Sequence, residues 1–294
     1  MSPLSLLLCL AGLAGLIGGF RREQRLRAVL MPLALTLLLL GLWQGLCDLI
    51  DFGSWHWPWQ AEPETAGRPP RRSLPSPRET VAALGELIAN GRIWGDTVAS
   101  LFRVTWGYLL ATFVAIPLGL FAGWSTRTFE ALNPLIQGLR PISPIAWIPI
   151  AILWFGIGDR AGIFLIFLAS FFPIAVGSMA AVRSISTVHQ RSALNFGLSG
   201  ADLFRRVVLP AALPQIITSL RIALGVAWLV IVAAEMVGMD SGLGYLINDA
   251  RNAGSRYDLV VATMGVIGAI GILLDFLIRQ LEHFDEVRWG YSKR

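Results

Sequence analysis

Long uncharged stretches alternate with short basic ones along this chain. Apolar runs occupy 3–20, 28–50, 98–124, 131–155, 161–182, 213–234 and 257–278. Each approaches or exceeds the ~20 apolar residues that a helix needs to cross a bilayer. Backbone groups inside hydrocarbon have no water to bond, so every run is expected to be helical. The pattern predicts an all-α polytopic membrane protein with six core spans, preceded by an extra N-terminal span over 3–20. Composition agrees: 55% of the residues are hydrophobic and 15% charged, against roughly 25% charged in a soluble domain.

The segments between runs predict the remaining elements. Residues 1–27 form an extra hydrophobic segment and a basic turn, and 28–50 a span. Residues 51–77 carry Trp55, Trp57 and Trp59 and then many prolines, which suits an interfacial, extracytoplasmic linker. Ser76, Pro77 and Glu79 read as a capping box with proline in the first turn. They open an amphipathic helix over 78–91 with Val81, Leu84 and Ile88 on one stripe. The core is expected over 95–285, with a tail at 286–294. The run 131–155 holds Pro134, Pro141, Pro144 and Pro149. Interior prolines remove backbone bonds, and broken helices survive in membranes only inside protein or beside water. This span is therefore expected to be interior, with Arg140, Ser143 and Trp147 as pathway candidates. Arg140 also reads as a snorkelling residue at a helix end. Glu235 ends the run 213–234, where a carboxylate opposes the helix dipole and calls for a partner. It reads either as an outer-mouth residue or as a wet helix end. A short helix is expected around 245–251, and Asp275 and Arg279 are spaced to pair across one turn.

Charge sets the orientation. Arginines border the spans, and 13 of the 24 basic residues fall within 21–27, 125–130, 183–212 and 279–294. The positive-inside rule places these segments in the cytoplasm, and the same distribution argues against nucleic acid as a partner. Arg68, Arg71 and Arg72 in the linker oppose this more weakly. Residues 1–20 lack a basic n-region and a cleavage site, so they are expected to stay as a span or an interfacial segment. Cys9, Cys47 and the three histidines are scattered, without metal or disulfide spacing. The one lysine is Lys293. A nucleotide-binding P-loop needs a lysine on the phosphates, so any ATP and magnesium must be bound by another chain.

The stretch from Arg183 to Pro214 is too long and too structured for a simple turn. Residues 187–196 predict a short helix that Gly197 ends in the left-handed conformation. Ser199 and Asp202 suit a capping pair for a second helix, which Leu209-Pro210 is expected to stop. Leu203, Phe204 and Val207 would share one face, with Phe204 as an exposed knob rimmed by arginine.

This loop resembles the coupling loop of permease subunits in binding-protein-dependent ABC importers. Gly197, nine residues, and Val207-Val208-Leu209-Pro210 match that pattern. Ala193 matches its second alanine, while Arg191 and Ser192 stand where glutamate and alanine are usual. Leu139-Arg140-Pro141-Ile142-Ser143-Pro144, Trp147-Ile148-Pro149, Trp154-Phe155-Gly156-Ile157-Gly158 and Ala233-Ala234-Glu235-Met236 resemble the nitrate/sulfonate/taurine/bicarbonate branch. The resemblance implies a type I importer permease in a bacterial inner membrane. It implies a second permease copy, two cytoplasmic ATPase subunits and an extracytoplasmic solute-binding protein. It also implies an ATPase-coupling surface built from Arg191, Ala193, Gly197, Ser199, Asp202, Phe204, Arg205, Val207, Leu209 and Pro210 in the loop 183–212. No catalytic residue, metal or cofactor is expected in the chain itself. The rivals are a permease for another small organic solute, an ion-driven secondary transporter and a membrane-embedded sensor subunit. Only one proline-broken run is present, which weighs against an internal repeat of the secondary-transporter kind.

Overall fold

The computed structural model describes residues 7–11, 13, 24–49, 75–252 and 256–280. Most of the expected N-terminal span, the tryptophan-rich linker and the tail 286–294 lie outside these. All regular structure among the described residues is helical. The elements are α1 (Gln24–Leu49), α2 (Pro77–Ala89), α3 (Arg92–Trp124) and α4 (Thr126–Leu139), then a 3-10 turn (Pro144–Trp147) leading into α5 (Ile148–Phe155). α6 (Asp159–Arg183), α7 (Thr187–Asn195), α8 (Gly200–Gly238), α9 (Leu243–Asn252) and α10 (Tyr257–Arg279) follow.

Helices α3, α6, α8 and α10 are each long and apolar enough to cross a membrane. They coincide with four of the predicted runs. The run 131–155 is not one straight span. It is α4 and the segment Pro144–Phe155, bent by 82°. Proline pushes the residue before it out of the helical region, and Ser143 before Pro144 is accordingly extended (φ −59°, ψ 130°). Pro149 sits in the first turn of α5, where a missing N–H costs nothing. The run 28–50 forms α1, whose apolar stretch is the shorter Met31–Cys47.

The described residues of Met1–Gly91 with Ile247–Gly265 form one compact unit, and those of Arg92–Leu246 with Val266–Arg294 another. In the first unit, Ser76 and Glu79 make the expected capping box at the start of α2. Its buried face is Ala83 and Leu87, whereas Val81 and Ile88 are exposed. Of the expected stripe, only Leu84 is half-buried. Arg256 bridges Glu86 (2.7 Å) and Asp258 (2.8 Å). The hydrogen bonds it donates to Asp258 first, then to Glu86, raise its guanidinium pKa above the ordinary value.

The second unit is built on a seam of small residues. Along α3, Gly107, Ala111, Ala115, Gly119 and Gly123 recur every fourth position. They face Gly162, Ile166, Ser170, Ile174, Ser178 and Val182 of α6, a row of the same period. Lipid tails are as apolar as leucine, so helices in a bilayer associate through close packing rather than the hydrophobic effect. A methyl group at Gly107 would strike Ile166, and at Gly119 the carbonyl of Ala175 and the side chain of Ser178. Helix α8 also packs on α6, with Ser219 against Gly177. Because α8 runs opposite to α3 and α6, its last turn meets their first turns and its first turn meets their ends.

Candidate functional site

The basic loop is structured much as its sequence predicts. Helix α7 starts at Ser186, whose hydroxyl accepts from the Val188 amide, and ends at Asn195. Gly197 takes φ +83°. Its amide donates to Leu194 and the Leu198 amide to Ala193, which together close a Schellman motif. Ala193 is buried, while Arg191, Gly197, Ser199, Asp202 and Arg205 are exposed.

Three details differ from expectation. Ser199 occupies the cap position of the next helix, but its side chain makes no capping bond. Asp202 donates its amide to the Ser199 carbonyl instead, so the pair is held by backbone. Leu209-Pro210 does not stop the helix. Pro210 lacks an N–H and its ring would crowd the carbonyl one turn back. The chain widens into a π turn over Phe204–Val208, in which the Leu209 amide reaches the Phe204 carbonyl, and α8 continues unbroken to Gly238. Such π turns occur chiefly as single-turn inserts within helices. Finally, Phe204 is no knob. It is half-buried and packs edge-to-face on Trp124 of α3, with ring centroids 5.5 Å apart. Val207 is half-buried as well, and Leu209 packs against the core around Val208 and Ala212. The exposed aromatic is Phe196, 87% accessible at the end of α7, with Val188 and Leu194 also exposed.

At the other end of this unit lies a buried polar network. Arg103 on α3 is 1% accessible and Glu235 at the end of α8 is also 1%. The Arg103 Nη1 donates to Glu235 Oε1 (2.8 Å) and to the Ser241 carbonyl (2.7 Å). Nη2 donates to the Ser241 hydroxyl (2.6 Å), and Nε to Asp159 Oδ1 (2.7 Å) in the first turn of α6. Glu235 further accepts from the Ser100 hydroxyl (2.8 Å) and the Gly244 amide (3.0 Å). Ser100 in turn accepts from the Leu243 amide, and Asp96 from the Gly242 amide (2.9 Å). Gly242 is held at φ +109°, and a Cβ there would collide with the Glu235 carboxylate.

Glu235 is therefore neither a wet helix end nor a group lining an open mouth in this chain. Its carboxylate is satisfied by Arg103, Ser100 and Gly244, which also supplies the partner that its place at a helix C-terminus demands. Sequence reading missed Arg103, Ser100, Asp96, Asp159 and Ser241. A signal existed: Arg103 stands inside the run 98–124, and an intramembrane charge points to a partner by default. Asp275 pairs with Arg279 as expected (2.9 Å), and also with Arg221 of α8 (2.6 Å), which the spacing alone did not reveal.

The pathway candidates on the bent span fall differently. Arg140 and Ser143 are exposed and Trp147 is half-buried. Leu135, Leu153, Trp154 and Ile157 beside them are more than half accessible. The segment expected to be interior is thus a surface of the isolated chain.

A core of close-packed spans, with a buried polar network at one end and a structured basic loop at the other, defines a polytopic membrane protein. Comparison with known proteins is specific. Residues 115–284 match the family described as "Binding-protein-dependent transport system inner membrane component". The chain is 42% identical over 197 residues to an ABC transporter permease protein of Methanocaldococcus jannaschii, covering 67% of this chain and 73% of that one. It is 36% identical over 214 residues to the taurine transport system permease protein TauC of Escherichia coli K12, covering 71% and 78%. It is 40% identical over 188 residues to the nitrate import permease protein NrtB of Leptolyngbya laminosa, covering 64% and 67%. The chain belongs to this family of inner-membrane permease components of ABC importers. It is a multi-pass, non-catalytic membrane subunit.

Proposed function

We propose that this chain is the translocation subunit of an ATP-driven importer for a small oxyanion: nitrate, bicarbonate, or a sulfonate such as taurine. The observation that carries the coupling part is the exposed helix α7 with its Gly197 turn. It is closely capped, yet it presents Val188, Arg191, Leu194 and Phe196 outward with no partner surface among the described residues. In this reading two cytoplasmic ATPase subunits receive these loops. Phe196 takes the anchoring role first given to Phe204. Phe204 instead clamps the start of α8 to α3, so that displacement of the loop reaches the span.

The exposed bent span fits the same reading. Its apolar surface and Arg140, Ser143 and Trp147 would face a second copy of the chain across the passage, where an arginine and a hydroxyl can balance a passing anion. An extracytoplasmic solute-binding protein would deliver the substrate. The chain supplies no acid, base or nucleophile. ATP binding closes the ATPase pair, and the permease pair turns outward and accepts substrate. Hydrolysis returns it inward. The relatives' names support the substrate class.

Reconstitution tests this. The chain is co-purified with its ATPase and binding protein, placed in proteoliposomes and offered labelled taurine, nitrate, bicarbonate and an alkanesulfonate. The expected result is ATP-dependent accumulation of at least one of these anions. Uptake by the chain alone under an ion gradient would overturn the reading.

A further inference from the structure

At the basic end, an apolar groove of about 530 Å³ opens between the last turns of α3 and the start of α8. Pro117, Leu120, Phe121 and Trp124 line one wall, and Gly200, Ala201 and Phe204 the other. Gly200 and Ala201 lack the bulk to fill the space that the Trp124–Phe204 ring pair borders. The volume falls in the ~300–1,000 Å³ range of ordinary ligand sites. The groove opens outward, since Phe121, Trp124, Gly200 and Ala201 are all exposed. Trp124 marks the depth, because tryptophan favours the boundary between hydrocarbon and headgroups.

Two cations follow the lining residues in sequence. Arg127 lies three residues beyond Trp124, and Arg205 directly follows Phe204. Both are exposed, and neither pairs with a carboxylate among the described residues. The neighbouring acids Glu130 and Asp202 are exposed too and leave both guanidinium groups uncommitted.

We propose that this groove holds an acyl chain of an anionic phospholipid, whose phosphate sits against Arg127 and Arg205. An apolar, open groove whose lining is followed in sequence by exposed cations matches a lipid better than a free anion, which would gain nothing from the apolar lining. Each basic residue at an anionic membrane surface contributes about 1 kcal/mol, or roughly fivefold in binding. The bound lipid touches both α3 and the first turn of α8. Its presence therefore stiffens the junction through which the basic loop is joined to the spans. Lipid binding stands on the groove and the arginines alone, and only its effect on transport rests on the coupling reading above.

The test uses the full permease–ATPase complex in nanodiscs of phosphatidylcholine, with and without phosphatidylglycerol, followed by native mass spectrometry. Wild type is expected to retain phosphatidylglycerol in preference to phosphatidylcholine. Arg127→Gln and Arg205→Gln should each weaken that retention about fivefold. Ala201→Trp should abolish it by filling the groove, and the two arginine variants keep the test decisive if Ala201→Trp fails to fold. Equal retention of both lipids would overturn the proposal, as would an unchanged preference in the Arg127→Gln/Arg205→Gln double variant. A photo-crosslinker at position 201 that captures the ATPase or a second permease copy instead of lipid would also overturn it. Loss of the lipid with ATP-driven transport intact would separate the site from its effect on coupling.

Discussion

The two ends of the α3–α6–α8 core are both rich in charge, and they treat it in opposite ways. At one end Arg103, Glu235, Asp159 and Ser241 are folded into each other, with nearly every donor matched inside the chain. At the other, Arg191, Arg205 and Phe196 stand in the open. The Arg103–Glu235 pair is turned inward and holds the helices together, whereas the exposed groups are the ones the proposed ATPase contact would use. Charge content alone could not have told them apart.

Substitutions at the two ends should separate stability from assembly. The largest effect is expected for Arg103→Met. Removing one member of a buried pair strands the other, at a cost of about 3–5 kcal/mol. A sharp fall in thermal unfolding temperature in detergent is expected. The double variant with Glu235→Gln should lose much less than the sum of the two single changes. Additive losses would mean that the two groups do not act as a pair. Gly242→Ala comes next. It forces a left-handed backbone on alanine, at about 1–3 kcal/mol, and crowds the Glu235 carboxylate, so unfolding should again shift downward. Phe204→Ala loses the edge-to-face contact with Trp124, worth about 0.5–1.5 kcal/mol beyond area burial. Its melting shift should be intermediate. Phe196→Ala should change stability by no more than about 0.5 kcal/mol, yet reduce ATPase co-purification and stimulated hydrolysis. If Phe196→Ala unfolds the chain, or Phe204→Ala leaves its stability untouched, the assignment of the two aromatics is reversed. Arg191→Glu should be silent in melting and visible only in binding to the ATPase.

Much of this fold was legible because membrane helices announce themselves by length and apolarity, and because caps are local. The four single spans, the Ser76 capping box and the Gly197 turn each depend on residues within one or two turns of each other. What was not legible depends on partners far apart in sequence. Arg103 meets Asp159 and Glu235 across 56 and 132 residues, so its place inside a run could signal a partner but not which residues supply it. Phe204 was misplaced for a related reason. Its helix was expected to end at Pro210, which would have freed the aromatic, but a π turn absorbs the proline and carries Phe204 under Trp124. The glycine and alanine row on α3 drew no expectation from the sequence. Its meaning came only from the matching row on α6.

The π turn has one further consequence. By letting the helix run through Pro210, it joins 39 residues into one rod, about 58 Å long at ~1.5 Å per residue. The hydrocarbon layer is only about 30 Å thick. A helix of that length must tilt within the slab or extend past it. The π turn and Pro214 both lie in the first half of α8, and these are the features at which helices bend, so any give in the shaft belongs at the loop end and not beside Glu235.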